Sequence, residues 1–380
     1  MRPSAETRPP RSTAAAYSNR LATAGTVSSA RLARDRPLAV LGATGYTGRL
    51  VCAAARSLGI PLRLVGRRRD ALDELAESGE EVRLADARDL DALVAAFDGA
   101  FAVVSLAGPF LELGFAPVQA AIRAGAHYLD SSGEQEFAWH VFERFGPPAA
   151  ARRVALLTSF GFDYVPGDLA ARLAAEGLEP LDEVAVAYAV SSLASSRGTR
   201  RTIGRVLAQR QVAYEQGRYV PSRIGATARS FRFPWGEFSA IEWGGTEPLT
   251  VPRHSDVGTV RSYVRGPRIS APLTRFAYLA APFVRIAGAL GPAGPSERTR
   301  SRTRFAVVAE ARGRAGARRV TLTGTDPYGL TGLLLARGAE GLAPGEASGS
   351  GALAPAEAFH PRAFLEKLAP LVRLESADDV

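Results

Sequence analysis

The stretch LAVLGATGYTGRL, residues 38–50, constrains the chain more than any other. Four apolar residues lead into Gly42, Gly45 and Gly48, after which the pattern resumes with helical spacing. A strand that turns sharply into a helix needs glycine where the backbone reverses, where it approaches a ligand and where helix packs on strand. The first helical turn then offers unpaired N–H groups and a positive dipole end, which suit a phosphate. The spacing is G-x-x-G-x-x-G and not the more frequent G-x-G-x-x-G. Its place after the first strand of an alternating pattern predicts a dinucleotide loop.

That alternation runs on from residue 37. Apolar runs at 38–41, 62–65, 82–85, 101–106, 126–129 and 154–158 are separated by helical stretches such as 48–58, 70–78, 89–97 and 114–124. The reading is an α/β fold, a Rossmann-type doubly wound parallel sheet. Near residue 180 the style changes. DEVAVAYAV (182–190) alternates as a half-exposed antiparallel strand would, and further strands are expected at 256–264, 303–311 and 317–324. The expected division is a leader over 1–36, a nucleotide-binding domain over 37–175 and a second α+β domain over 176–350. The helical segment from Pro355 to Leu371 would bring 351–380 back onto the first domain. The Arg- and Ser-rich leader reads either as a targeting peptide or as an over-extended start.

The end of the second strand selects the nucleotide. An NAD site would place a carboxylate there to hold the ribose hydroxyls. The chain reads LVGRRRD, and the guanidinium groups of Arg67 and Arg68 suit a 2′-phosphate, so NADP(H) is the expected cofactor. Arg69 is more readily a solvated residue opening a helix. Asp86, ending the third strand, reaches toward the adenine side or caps the helix that follows. SLAGPF (105–110) ends the fourth strand and brings Ala107, Gly108 and Pro109 to the edge where a nicotinamide would lie. Past the next two strands, HYLDSSGE and SFGFDYVPGDL carry Asp130, Ser132, Glu134, Asp163 and Tyr164 to the same edge. Each of these is also a capping or turn residue.

VLGATGYTGRL, VGRRRDAL, SLAGPFLELGFAPVQAAIRAGAHYLDSSGE and TSFGFDYVPGDL, in this order, resemble the saccharopine dehydrogenase-like NADP-binding family. Within it they resemble the branch of trans-acting enoyl reductases and uncharacterised oxidoreductases. The resemblance covers about residues 37–175 and then thinly 325–341 and 351–359. It implies that Gly42, Thr44, Gly45, Tyr46, Thr47 and Gly48 form the pyrophosphate loop. It further implies that Arg67 and Arg68 take the 2′-phosphate and that Ala107, Gly108 and Pro109 flank the nicotinamide. Residues 190–320 depart from the family, so its substrate does not carry over.

Rare residues exclude several chemistries. Lys367 is the sole lysine and no tyrosine precedes it by four, which removes the Tyr-x-x-x-Lys pair of short-chain dehydrogenases and Schiff-base chemistry. Cys52 is the sole cysteine and lies behind the phosphate loop, away from any nicotinamide. Four scattered histidines give no metal-ligand spacing, and no metal is expected. What remains is hydride transfer, with Tyr128, Asp163 and Tyr164 as candidate proton or hydrogen-bond donors.

Charge adds a partner. Residues 197–319 carry 23 arginines against seven acids, +16, within a chain whose net charge is +9. A patch of that sign suits an acyl substrate carried on an acidic protein or as a CoA thioester, and equally a solvated surface with no partner. No nucleic-acid reader motif is present. Residues 271–293 are long and apolar but interrupted by Arg275, Arg285 and Pro282; they read as a core-facing helix or a membrane-surface one. The expected protein is a cytoplasmic reductase of unsaturated or carbonyl-bearing acyl substrates. The alternatives are a non-catalytic NADP-binding sensor, membrane-associated in one form, and an opine-type dehydrogenase.

Overall fold

The computed structural model describes residues 36–192, 196, 200, 211–266, 293–343 and 349–379. The expected leader up to residue 35 and the stretch 271–292 lie outside them. Arg36, the last leader position, is described and docks: its guanidinium donates to the carbonyls of Gly99 and Ala100 at 3.0 and 2.7 Å.

The first sheet is built from β1 (Leu38–Leu41), β2 (Leu62–Gly66), β3 (Glu81–Leu84), β4 (Ala102–Ser105), β5 (His127–Asp130) and β6 (Ala155–Leu157). With the two-residue strand Gly351–Ala352 it has seven strands in the order 351–352, β6, β5, β4, β1, β2, β3, every pair parallel. β1 and β4 are buried on both faces, as an apolar run in a parallel sheet must be. On one face Leu38 and Val40 pack against Val51, Cys52 and Ala55 of helix α1 (Tyr46–Ser57). On the other, Ala39 and Leu41 share a cluster with α2 (Leu90–Phe97) and α3 (Phe115–Ala124). This is the expected doubly wound arrangement. Burial drives the Cys52 thiol up to about 12.

α4 (Val165–Ala175) carries the chain to the second sheet and is buried along nearly its whole length. The strands that follow are β7 (Leu181–Val190), β8 (Gln211–Glu215), β9 (Arg218–Ser222), β10 (Ala228–Phe233), β11 (Gly236–Glu242), β12 (Val257–Arg265), β13 (Arg304–Gly313) and β14 (Gly316–Thr325). They form a mixed sheet in the order β10, β11, β12, β7, β13, β14, closed at its last edge by 372–379, with β8 on β12 and β9 on β8.

β7 departs from expectation. It pairs in parallel with β12 and antiparallel with β13, and both faces are covered. Val184, Val186 and Tyr188 face the main core that includes α4. Ala185, Ala187 and Ala189 lie under Phe231, Phe233 and Tyr263. The small residues that suggested an exposed face are small because aromatics press on them.

The division of the chain is also less simple than 176–350 and 351–380. α6 (Pro327–Leu342) packs on α1 of the first domain, where a Cβ on Gly332 would lie 2.9 Å from the Leu50 carbonyl carbon. Gly351–Ala352 joins the first sheet, whereas Val372–Asp379 pairs with β14 in the second. The expected helix from Pro355 is two short ones, Pro355–Ala358 and Pro361–Glu366, the second opened by its proline. Among the described residues no helix is long and apolar enough to cross a membrane.

Candidate active site

All six principal strands of the first sheet end on one edge, and β1 lies where the strand order reverses. The crevice beside β1 and β4 is the place where such sheets bind nucleotides. The loops after β2 and β3 fall to one side of it, and those after β4, β5 and β6 to the other.

The loop after β1 fits a pyrophosphate. Gly42 has φ +86°, a conformation that side chains disfavour, and its carbonyl accepts the Gly45 N–H at 2.9 Å. A Cβ on Gly48 would sit 2.3 Å from the Gly42 oxygen and 2.6 Å from the Ala43 oxygen, so helix and strand close on each other only through glycine. Gly45, by contrast, is exposed, although a Cβ on it would lie 3.1 Å from the Gly42 carbonyl oxygen. It N-caps α1 without a side-chain hydrogen bond, and the first helical bond outside α1 proper runs from Arg49 N–H to its carbonyl. The amides of Tyr46, Thr47 and Gly48 precede that bond and point out of the helix end. Thr44 and Thr47 are half-buried beside them. The Tyr46 side chain turns away, donating to the Pro295 carbonyl at 2.8 Å and meeting Tyr328 edge-on. Its backbone, not its hydroxyl, faces the loop's concavity.

On the β2–β3 side, Arg67 and Arg68 are exposed, and Arg67 lies 3.6 Å from Asp86. Asp86 accepts the Arg88 N–H at 2.9 Å, while Asp89 caps α2 through the Ala92 N–H; Asp86 is therefore not the helix cap. Arg69 pairs with Asp73 one turn on.

On the other side, loop 106–109 follows β4, with the Leu106 N–H bonded to the Leu41 carbonyl. Glu134 is fully buried and accepts the N–H groups of Phe110 and Leu111 at 2.8 and 3.2 Å, fixing the end of that loop. Asp130 accepts the amides of Ser132 and Ser159, and burial raises its carboxyl to about 6 against those bonds. Of the three candidate donors, Tyr128 is wholly enclosed in the cluster under α2 and α3, and burial pushes its hydroxyl well above the usual range. Tyr164 donates to the Gly133 carbonyl at 3.1 Å and stacks on Trp243 at 6.0 Å. Burial first, then the Asp163, Glu247 and Glu134 carboxylates, keep its hydroxyl protonated.

Asp163 differs from both. It is exposed, yet protein surrounds it, and that crowding raises its carboxyl to about 6. It makes no hydrogen bond or ion pair within the described residues. Its neighbour Phe162 packs on Phe305 and Tyr188 of the second sheet, so Asp163 sits beside the contact between the two sheets.

Three contributors were not anticipated from sequence: Trp243, Tyr188 and Glu247. Glu247, the first residue of α5 (Glu247–His254), is fully buried. Tyr188 Oη lies 2.5 Å from its Oε1 and 3.2 Å from the Tyr164 carbonyl, and Ser262 donates to its Oε2 at 2.6 Å. Burial raises the Glu247 carboxyl to about 7. Tyr188 has one proton for two oxygens, and a protonated Glu247 satisfies both contacts. The glycine-rich EWGGTEP was the available signal. Among the described residues no cluster of metal-ligand side chains occurs.

Over its first domain the chain is similar in sequence to known proteins. Residues 42–138 match the NAD(P)H-binding family model. A trans-acting enoyl reductase of Mycobacterium ulcerans is 30% identical over 145 residues, 36% of this chain and 34% of that protein. A human saccharopine dehydrogenase-like oxidoreductase is 28% identical over 152 residues, 35% of each chain. The match thus spans about a third of the length of these relatives. Saccharopine dehydrogenase (L-Glu forming) from Saccharomyces cerevisiae shares the fold at TM-score 0.59, covering 91% of this chain and 100% of its own, at 15% identity.

Fold and site together define the class, a Rossmann-type NAD(P)H-binding domain joined to a second, mixed-sheet domain. Within that class the first domain is similar in sequence to saccharopine dehydrogenase-like oxidoreductases, and the chain shares the fold of saccharopine dehydrogenase.

Proposed function

We propose that this chain is an NADPH-dependent reductase of unsaturated or carbonyl-bearing acyl substrates, thioester or lipid-like, acting in the cleft above β4–β6. The observation that carries the reading is Asp163, an accessible carboxyl without a partner among the described residues, raised to about 6 on the side where the nicotinamide would lie. Carboxyls arranged in this way are poised for proton transfer. The bound nicotinamide would supply the hydride. The amides of 46–48 would hold the pyrophosphate, Arg67 and Arg68 the 2′-phosphate, and 107–109 the nicotinamide end. Asp163 would deliver the proton that balances the hydride, and Tyr164, its own proton given to Gly133, would hold the loop that carries Asp163. Tyr128 would take no part, being sealed in the core.

The enoyl assignment draws support from the name of the mycobacterial relative. Delivery by an acidic carrier protein draws on the charge of 197–319. Several arginines there are already neutralised, Arg229 by Glu183 and Glu310, Arg261 by Glu215 and Glu242, and Arg300 by Asp326. A steering patch would therefore rest on the others.

The test is NADPH oxidation over a panel of enoyl thioesters and carbonyl analogues, with Asp163→Asn beside the wild type. Turnover should fall as pH rises through about 6, and the variant should lose that limb along with most of the rate. A protein that binds NADPH tightly and never oxidises it is the sensor.

A further inference from the structure

The turn after β5 does two things at successive residues. Asp130 and Ser132 brace it from within, Asp130 through the Ser132 amide and Ser132 Oγ through the Glu134 amide at 3.1 Å. Glu134 then reaches into its own domain and clamps the amides of Phe110 and Leu111. Gln135 reaches the other way, into the second sheet. Its Oε1 accepts the Val212 N–H at 2.8 Å, and its Nε2 donates to the carbonyls of Val212 and Gly245 at 3.0 and 2.6 Å. A glutamine amide here pairs with the Val212 backbone near the start of β8 as another strand would, and it also holds the loop that carries Trp243.

We infer that Glu134 and Gln135 form a strap that couples the seating of the substrate domain to the loop at the nicotinamide end, with Glu134 as the positioning residue for that loop. This rests on the reading that 107–109 flanks the nicotinamide. Both side chains are buried, and each polar atom they use is paired, so neither contact slips partway: a displaced clamp leaves a buried carboxylate or two amides unsatisfied. A shift of β8 against the first sheet pulls on Gln135 and is felt one residue away, at the clamp. Cofactor and substrate would then influence each other's binding through the strap, in equal measure in both directions.

Two variants test this, Glu134→Gln, which leaves only one oxygen to accept two amides, and Gln135→Leu, which keeps the volume and cuts the link between domains. Two probes are titrated by fluorescence and calorimetry: NADPH, and 2′-phospho-ADP-ribose, which lacks the nicotinamide. Both variants should bind NADPH about tenfold more weakly while binding the fragment within about twofold of wild type. Hydrogen exchange at Phe110 and Leu111 should quicken in both, without ligand. Wild-type exchange and NADPH affinity in Gln135→Leu would overturn the coupling. Parallel losses for NADPH and fragment would overturn the positioning role, leaving a general loss of structure. If wild type binds neither probe, the reductase reading fails, and exchange in the unliganded proteins still decides the strap.

Discussion

Replacing Glu247 by glutamine tests how the second domain meets the site loop. The carboxyl is fully buried, and its folded value of about 7 stands above its ordinary 4.5. The folded state therefore holds this proton more tightly than the unfolded chain. Below pH 4.5 both states are protonated and nothing is lost. Between 4.5 and 7 the unfolded state ionises first, and stability falls as pH rises. Above 7 the loss is complete, about 3 kcal/mol at 1.36 kcal/mol per tenfold difference in proton affinity. Glutamine keeps the pattern of a protonated carboxyl, since its NH2 donates to Tyr188 Oη and its oxygen accepts from Ser262. It has no proton to lose. Urea unfolding at pH 5 and at pH 8 reads most of the difference: relative to wild type, Glu247→Gln should gain about 2.5 kcal/mol between the two. Asp130 and Asp163 titrate alike in both proteins and cancel. Stability curves that run parallel from pH 5 to 8 would refute the buried, protonated carboxyl and the Glu247–Tyr188–Tyr164 chain built on it.

Replacing Arg67 and Arg68 together by alanine should erase a preference for NADPH over NADH of about tenfold, or about 1.4 kcal/mol, and leave NADH affinity unchanged in parallel titrations. Gly48→Ala drives a methyl into two backbone oxygens and should lower stability by about 1–3 kcal/mol or more in denaturant titrations. Gly45→Ala, whose methyl would lie 3.1 Å from the Gly42 oxygen against 2.3 Å at Gly48, should cost less stability than Gly48→Ala while losing NADPH. If an acidic carrier delivers the substrate, its kcat/KM should fall steeply from low to moderate salt, where fields are screened within about 8–10 Å; an uncharged thioester should barely respond.

The first sheet was legible because parallel strands must be apolar throughout and their turns must carry glycine or polar caps. β1, β2, β4 and β5 therefore stand out as runs, and Gly42, Arg67, Arg68 and Asp163 follow from strand ends alone. β8 to β11 did not stand out: stretches such as ARSFRF and GEFSAIE mix charge and aromatic residues with no long apolar run. The alternation of β7 was visible, but what covers its alanines was not, since Phe231 and Tyr263 arrive from distant strands. The same limit hid half of the site. Asp163 sits on a readable loop, whereas Trp243, Tyr188 and Glu247 reach it only through packing of the second sheet. The place of α6 was obscured because glycines at 332 and 338 look like interruptions until Leu50 and Phe160 fill the space they leave.

Cys52 makes the molecule convenient for spectroscopy. With its thiol raised to about 12 and no accessible surface, only about one molecule in 10⁵ carries the thiolate at neutral pH, and a maleimide finds nothing to attack. The native chain is thus already a silent background for labelling. Cysteines introduced at exposed Leu84, on the first sheet, and at exposed Arg232, on the second, would accept a donor–acceptor or spin-label pair with no prior engineering. Such a pair would act as a ruler between the two sheets, reporting whether their separation changes as nucleotide is added.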